Sequence, residues 1–158
     1  ADVTSSLPEG LVVQVVDIPN RMVYDQFLVN GIIIDDKLTE GYDMKLVAGD
    51  QQYVEETVLK ILSEIPEEFS LSQNYPNPFN PLTKIDFSLP KTGRVVITIY
   101  NLLGQEVTTL INERLDYGYH TVTWQGTDRM GRPVGSGVYF SELKSAGNRK
   151  TRKMLLLK

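Results

Sequence analysis

The chain has 158 residues and carries sixteen Lys and Arg against twenty Asp and Glu, a net charge of −4. This balance predicts no strongly basic surface that could bind a polyanion, so we expect no nucleic-acid partner. The absence of cysteine excludes disulfides, thiolate metal sites and thiol nucleophiles. No apolar run approaches the roughly 18 residues that a transmembrane segment needs, and residues 1–3 do not resemble a secretory signal.

Residues 1–62 are predicted to form a small β-rich domain, because short runs of branched residues alternate with turn signals. The clearest signal is Asn30-Gly31, since a type I′ hairpin needs positive φ at both central positions. The runs cover residues 11–16, 22–29, 32–34, 44–47 and 53–59. The last run also has a helical spacing of apolar residues, but its β-branched residues favour a strand.

Residues 63–70 are predicted to be a linker, because they are acidic, contain Pro66 and lack periodicity. A proline-rich segment follows, and its three prolines within residues 76–81 prevent a helix. We expect Tyr75 and Phe79 to anchor this segment on the edge of the sheet that comes next.

From Thr83 onward, apolar and polar residues alternate in a way that predicts antiparallel strands. The groups that share a face are Ile85, Phe87 and Leu89; Val95, Ile97 and Ile99; His120, Val122 and Trp124; Val138 and Phe140; and Met154 and Leu156. With a shorter strand at residues 106–110, these make six or seven strands, which is typical of an Ig-like sandwich. The predicted fold class is therefore all-β, with two small β-domains, the second an Ig-like antiparallel sandwich of about seven strands at residues 71–158.

Little in the sequence favours catalysis or metal binding. His120 is the only histidine. It shares a predicted strand face with Val122 and Trp124, which favours a structural side chain over a catalytic base. An acidic group of Asp35, Asp36, Glu40 and Asp43 lacks the ordered spacing of a calcium loop, so a solvated loop is the better interpretation. We expect no enzyme, no catalytic residue, no metal and no cofactor.

Two features leave alternatives open. Four aromatic residues on the predicted strands would suit a carbohydrate-binding module, although alternating aromatics are more often core or rim; they are Tyr117, Tyr119, Trp124 and Tyr139. The tail is basic and then apolar, and it is typical of a final edge strand whose cations discourage edge-to-edge pairing. Alternatively, that strand is available to an export receptor through its last six residues, Lys153, Met154, Leu155, Leu156, Leu157 and Lys158.

Residues 69–158 contain several ordered sequence blocks, whose motif positions are Asn74, Pro76, Asn77, Pro78, Phe79, Asn80, Pro81, Tyr100, Asn101, Gly104, Trp124, Gly137 and Tyr139. Together these blocks resemble the type A C-terminal sorting domain of the type IX secretion system of Gram-negative bacteria, a domain related to the Ig-like domain of flagellar hook-capping proteins. Gln125 departs from the family pattern, which usually has an acidic residue or Asn there.

The resemblance implies a module that directs a secreted protein to the cell surface. Its implied partners are an outer-membrane translocon and a surface sortase. We expect the translocon to read the terminal strand, residues 153–158, and neighbouring loops through exposed edge hydrogen bonds, as in β-strand addition. The alternative is a structural subunit of an extracellular fibre or surface layer, which would associate with copies of itself.

Overall fold

The computed structural model describes residues 10–25 and 44–158. The chain divides into two compact units, Ala1–Ile65 and Pro66–Lys158. Over the described residues, antiparallel strands make up most of the regular structure, which confirms the predicted all-β class. Within the described residues, no helix is long and apolar enough to cross a membrane.

The described residues of the first unit form a three-stranded antiparallel sheet and one helix. The strands are β1 (Val12–Asp17), β2 (Met22–Asp25) and β3 (Met44–Gly49), in the order β2-β1-β3. The helix α1 (Gln51–Glu64) contacts β1 and β3. The buried hydrophobic residues of this unit, on the sheet, on the helix and next to them, are Val15, Val16, Ile18, Val47, Val54, Val58, Ile61 and Ile65.

The strand predicted at residues 53–59 is wrong, because these residues lie in α1. The Asp50 side chain accepts a hydrogen bond of 2.9 Å from the backbone N–H of Tyr53, which caps the helix. Val54, Val58 and Ile61 are the buried residues of α1, and their spacing of four and three places them on one face. Burial of that face outweighs the weak strand preference of the β-branched residues.

Some predictions for this half fall on residues that the structure does not describe. These are the Asn30-Gly31 hairpin, the run at residues 32–34 and the acidic group of Asp35, Asp36, Glu40 and Asp43. The predicted linker at residues 63–70 is shorter in the structure, since Ser63 and Glu64 belong to α1 and Ser70 begins the next strand.

The second unit is a sandwich of seven strands in two antiparallel sheets. Its strands are β4 (Ser70–Leu71), β5 (Thr83–Leu89), β6 (Gly93–Asn101), β7 (Glu106–Leu115), β8 (Gly118–Trp124), β9 (Gly137–Ser145) and β10 (Asn148–Leu156). One sheet has the order β4-β5-β8 and the other β10-β9-β6-β7. The predicted sandwich is therefore confirmed.

The core of the sandwich forms where the inward faces of the two sheets meet. The alternation read from the sequence places the same residues inward, including Ile85, Ile97, Ile99 and Met154, each fully buried. At β9, however, the inward residue is Tyr139, whereas Val138 and Phe140 lie on the outer face and are half-buried. β10 is the edge strand of its sheet and carries the end of the chain.

Candidate functional site

The last strand, β10, pairs with β9 along its whole length, from Asn148 opposite Ser145 to Leu156 opposite Gly137. Its first six residues are all exposed, and only at its end do side chains alternate between the core and the outer face, because successive residues of a strand point to opposite faces. Met154 and Leu156 are fully buried. Of the other predicted recognition residues, Lys153, Leu157 and Lys158 are exposed and Leu155 is half-buried.

A second segment, residues 73–79, lies along the outer edge of β10, and we call it the cover segment. Its Phe79 donates a backbone hydrogen bond of 3.0 Å to the Leu155 carbonyl and accepts one of 2.9 Å from the Leu157 N–H. The Leu155 N–H donates to Asn77 Oδ1 at 2.9 Å. Gln73 Nε2 donates to the Lys153 carbonyl at 2.8 Å.

These contacts correct the expectation of an exposed terminal edge. Between Lys153 and Leu157, the outward backbone groups named above already have partners from the cover segment. The end of the chain is fixed as well, because the Lys158 N–H donates to Ser136 Oγ at 3.0 Å. A partner strand could pair with this part of the edge only by displacing the cover segment.

The cover segment is held by a buried amide. Asn74 is 2% exposed, and its Nδ2 donates to the Pro76 carbonyl and to Thr83 Oγ1, both at 2.9 Å. Thr83 Oγ1 donates in turn to the Pro76 carbonyl at 2.9 Å. The peptide bonds before Pro76 and Pro78 are both cis. A buried amide with these partners fixes the path of the loop.

The two expected anchors of this segment behave differently. Phe79 is 2% exposed and packs on Trp124 with ring centroids 5.5 Å apart, as an anchor should. Tyr75 is 79% exposed, so its predicted anchoring role is wrong. The backbone of Tyr75, and not its ring, attaches to the sheet, through two hydrogen bonds of 2.9 Å with Lys84. The remaining motif residues, Pro76, Asn77, Pro78, Asn80 and Pro81, are exposed.

The aromatic motif residues Trp124 and Tyr139 form part of the core. Trp124 is 1% exposed, lies 5.1 Å from Tyr139 between ring centroids, and donates through Nε1 to the Thr127 carbonyl at 2.9 Å. The Tyr139 hydroxyl donates to the Gly135 carbonyl at 2.7 Å. A sugar platform needs exposed rings, so neither Trp124 nor Tyr139 can contribute to one.

The motif residue Asn101 builds the β6–β7 hairpin. Its Oδ1 accepts hydrogen bonds of 3.0 Å from the backbone N–H groups of Leu103 and Gln105. Gly104 has φ of +75°, a conformation that L residues rarely adopt. The turn leaves Leu102 and Leu103 exposed at its tip.

Sequence reasoning missed a groove on the outer face of the larger sheet, with a volume of about 340 Å³. Its floor contains Glu142, which is 3% exposed and forms ion pairs with Lys144 and Arg149. Burial opposes ionisation of this carboxylate, but Lys144, Arg149 and a hydrogen bond from Tyr100 together hold its pKa below the ordinary value. One sequence feature could have indicated this groove: the charged residue Glu142 lies on the same strand face as the apolar residues Val138 and Phe140.

His120 and Asp128 both make local structural contacts. His120 Nε2 lies 2.8 Å from the Asp116 carbonyl, and the ring stacks on Phe87 at 5.2 Å between centroids. Asp128 accepts from the N–H groups of Met130 and Arg132, as a turn residue does. In residues 10–25 and 44–158, no group of three or more His, Asp or Glu side chains could hold a metal ion.

Comparison with known proteins identifies the second unit. Residues 73–157, more than half of the chain, match the family described as the secretion system C-terminal sorting domain. The chain belongs to this family. The resemblance to the type IX sorting domain is thereby confirmed. The sorting domain is a module for export to the cell surface or the medium, and it interacts with the secretion machinery.

Several solved structures also resemble the chain. FlgD from P. aeruginosa is 23% identical over 47% of this chain, with a TM-score of 0.39. PorZ, a surface component of the type IX secretion system of Porphyromonas gingivalis, is 17% identical over 61%, with a TM-score of 0.39. Dimeric latent PorU from the same organism is 15% identical over 96%, with a TM-score of 0.46. The chain spans 58%, 12% and 13% of those three chains, respectively. No curated protein matches it.

Proposed function

We propose that the outer-membrane translocon reads the sorting domain through the exposed side chains of residues 153–158 and of the cover segment, and not by strand addition at the terminal edge. The observation that carries this proposal is the closed edge, in which the cover segment holds Lys153, Leu155 and Leu157. Such an edge fixes the backbone that carries the exposed side chains, and a preorganised backbone loses little entropy when a partner binds.

The exposed residues of the last six are the candidates for this contact. Lys153, Leu157 and Lys158 point to the surface, whereas Met154 and Leu156 belong to the core. Deletion of residues 153–158 therefore tests folding and recognition together, because it removes two fully buried side chains. Substitution at exposed positions separates the two effects.

The test is export of the full chain, fused behind a reporter, in a host with the type IX system. Leu157→Asp should leave reporter in the periplasm, because it places a charge where an apolar side chain contacts the partner. Leu82→Asp is the matched control, since Leu82 is 47% exposed and Leu157 49% exposed. Normal export of Leu157→Asp, or an equal loss for both variants, would contradict the proposal.

We also propose that a surface sortase cleaves the chain ahead of the sandwich. Residues 66–69 lie between the end of α1 and the start of β4, outside both. Cleavage there would leave all seven strands together, so the sorting domain could depart folded. Intact mass spectrometry of surface material from the host would show a new end at residues 66–69; an end within a strand would contradict this.

Self-association is a second candidate function, and one observation favours it. Among the described residues, β8 pairs only with β5, and its seven residues carry no Lys, Arg, Asp or Glu. Charges commonly protect edge strands from pairing, and β8 has none. We therefore propose that β8 can pair with β8 of a second copy. We also propose that the chain itself catalyses no reaction. Sedimentation should show dimers that Thr123→Lys abolishes; monomers at every concentration would contradict this pairing.

A further inference from the structure

The groove on the outer sheet face lies where β6, β9 and β10 run side by side. The register aligns Thr98 of β6 with Glu142 of β9, and Glu142 with Thr151 of β10. The hairpin tip contributes Leu102 to the lining, and β10 contributes Arg149. The groove therefore combines an apolar wall with a charged floor.

The floor carries one more positive than negative charge. Glu142 is buried and pairs with both Lys144 and Arg149, whose side chains remain 50% and 68% exposed. One cation would neutralise Glu142, so the second is in excess. Arg149 reaches Glu142 through Nε. A guanidinium has five N–H donors in a planar fork, so it can hold a second carboxylate at the same time.

The surroundings reinforce this charge. Residues 143–158 contain six Lys and Arg and no Asp or Glu. The whole sorting unit has twelve Lys and Arg against eight Asp and Glu, whereas residues 1–65 have four against twelve. The net charge of −4 thus conceals a basic sorting unit, with its cations concentrated on the β9–β10 hairpin. A surface of one sign attracts a partner of the opposite sign and accelerates its association.

The walls of the groove indicate the kind of anion. Leu102 is 70% exposed, and Phe140 and Tyr100 are half-buried, so apolar and aromatic surface borders the cations. A fully hydrated ion would bury little of this apolar surface. A ligand with an apolar side chain next to a carboxylate would bury that side chain against it.

We propose that this groove binds an acidic peptide segment of a protein of the secretion machinery, with a carboxylate on Arg149 and Lys144 and a neighbouring apolar side chain against Leu102. This inference rests on the proposed sorting function, and it names the chemistry of the partner. It assigns Glu142 a positioning role, since the buried carboxylate holds both cations at the floor of the groove.

The test is an NMR titration of the full chain with the peptide acetyl-Leu-Asp-Phe-Asp-Leu-amide and with its Asn counterpart. Amide shifts should concentrate at the groove for the Asp peptide, and affinity should fall about tenfold or more for Arg149→Gln and for Leu102→Ala. Because Arg149→Gln also changes the partners of a buried carboxylate, Glu142→Gln with Arg149→Gln serves as a second variant that has no buried carboxylate. Arg114→Gln, an exposed cation on β7, is the matched control and should bind normally.

Equal binding of the Asp and Asn peptides, or unchanged affinity in both Arg149 variants, would overturn the proposal. Displacement of the peptide by equimolar inorganic phosphate would also overturn it, because the groove would then be a general anion site. The titration does not involve export, so a negative result here leaves the role of Leu157 untouched. Conversely, normal export of Leu157→Asp together with a positive titration would contradict only the proposed terminal contact.

Discussion

The contact between Phe79 and the sandwich core predicts that the cover segment contributes strongly to stability. Phe79 is 2% exposed and packs on Trp124. Replacement of a buried Phe by Ala costs about 3–5 kcal/mol. A unit of this size has a free energy of unfolding of about 5–14 kcal/mol. Phe79→Ala should therefore remove a large share of it.

The assay is urea unfolding of the full chain, followed by tryptophan fluorescence. Trp124 is the only tryptophan, so the signal reports on the sorting unit alone. The midpoint should fall without a change in the slope of free energy against urea. Tyr75→Ala is the control within the same segment, because Tyr75 is 79% exposed, and its effect should stay within about 0.5 kcal/mol. A cost below about 1 kcal/mol for Phe79→Ala would refute the proposed packing.

Three further predictions concern the same unit. The pKa of Glu142 is lowered, so ion pairing of Glu142 stabilises the fold above the ordinary glutamate pKa, and this stabilisation is lost as pH falls through the folded-state pKa. Glu142→Gln should therefore show a smaller drop in the urea midpoint between neutral and acidic pH than the wild type. Equal drops would contradict this. Gly126 has φ of +63°, and an added Cβ would lie 3.3 Å from the Pro81 carbonyl oxygen. Gly126→Ala should therefore lower the free energy of unfolding by about 1–3 kcal/mol, measured by calorimetry. An unchanged Tm would refute the strain. Asn101→Ala removes the acceptor for two backbone N–H groups and should cost about 1–2 kcal/mol in urea unfolding; no loss would contradict its turn role.

The sandwich was predictable from the sequence because its signals are local. Alternation in β5 and β6 assigns the buried face directly, and Ile85 and Ile97 are indeed fully buried. The turn at Asn101 and Gly104 is local as well, since its hydrogen bonds join residues two and four apart.

The helix α1 was missed because residue preferences and spacing disagreed. Thr57 and Val58 favour a strand, but Asp50 caps the helix and its buried residues follow a helical spacing. Preferences of single residues span only about 1 kcal/mol, so burial of one face against the sheet decided the outcome.

The closed terminal edge could not be predicted, because its contacts are distant in sequence. Asn77 and Leu155, which share a hydrogen bond, are 78 residues apart. The sequence predicted the final strand but carried no signal that the proline-rich segment lies along it. The groove has the same origin, since Tyr100, Glu142 and Arg149 meet only through the pairing of β6, β9 and β10.

The most direct test of the central claim is photo-crosslinking in a host with the type IX system. A benzoylphenylalanine at position 157 lies on the surface proposed to face the translocon, whereas one at position 119 replaces a 73% exposed tyrosine on β8 of the other sheet. The account predicts a heterologous adduct with an outer-membrane protein from position 157 and none from position 119. No adduct at 157, or equal adducts from both positions, would contradict it.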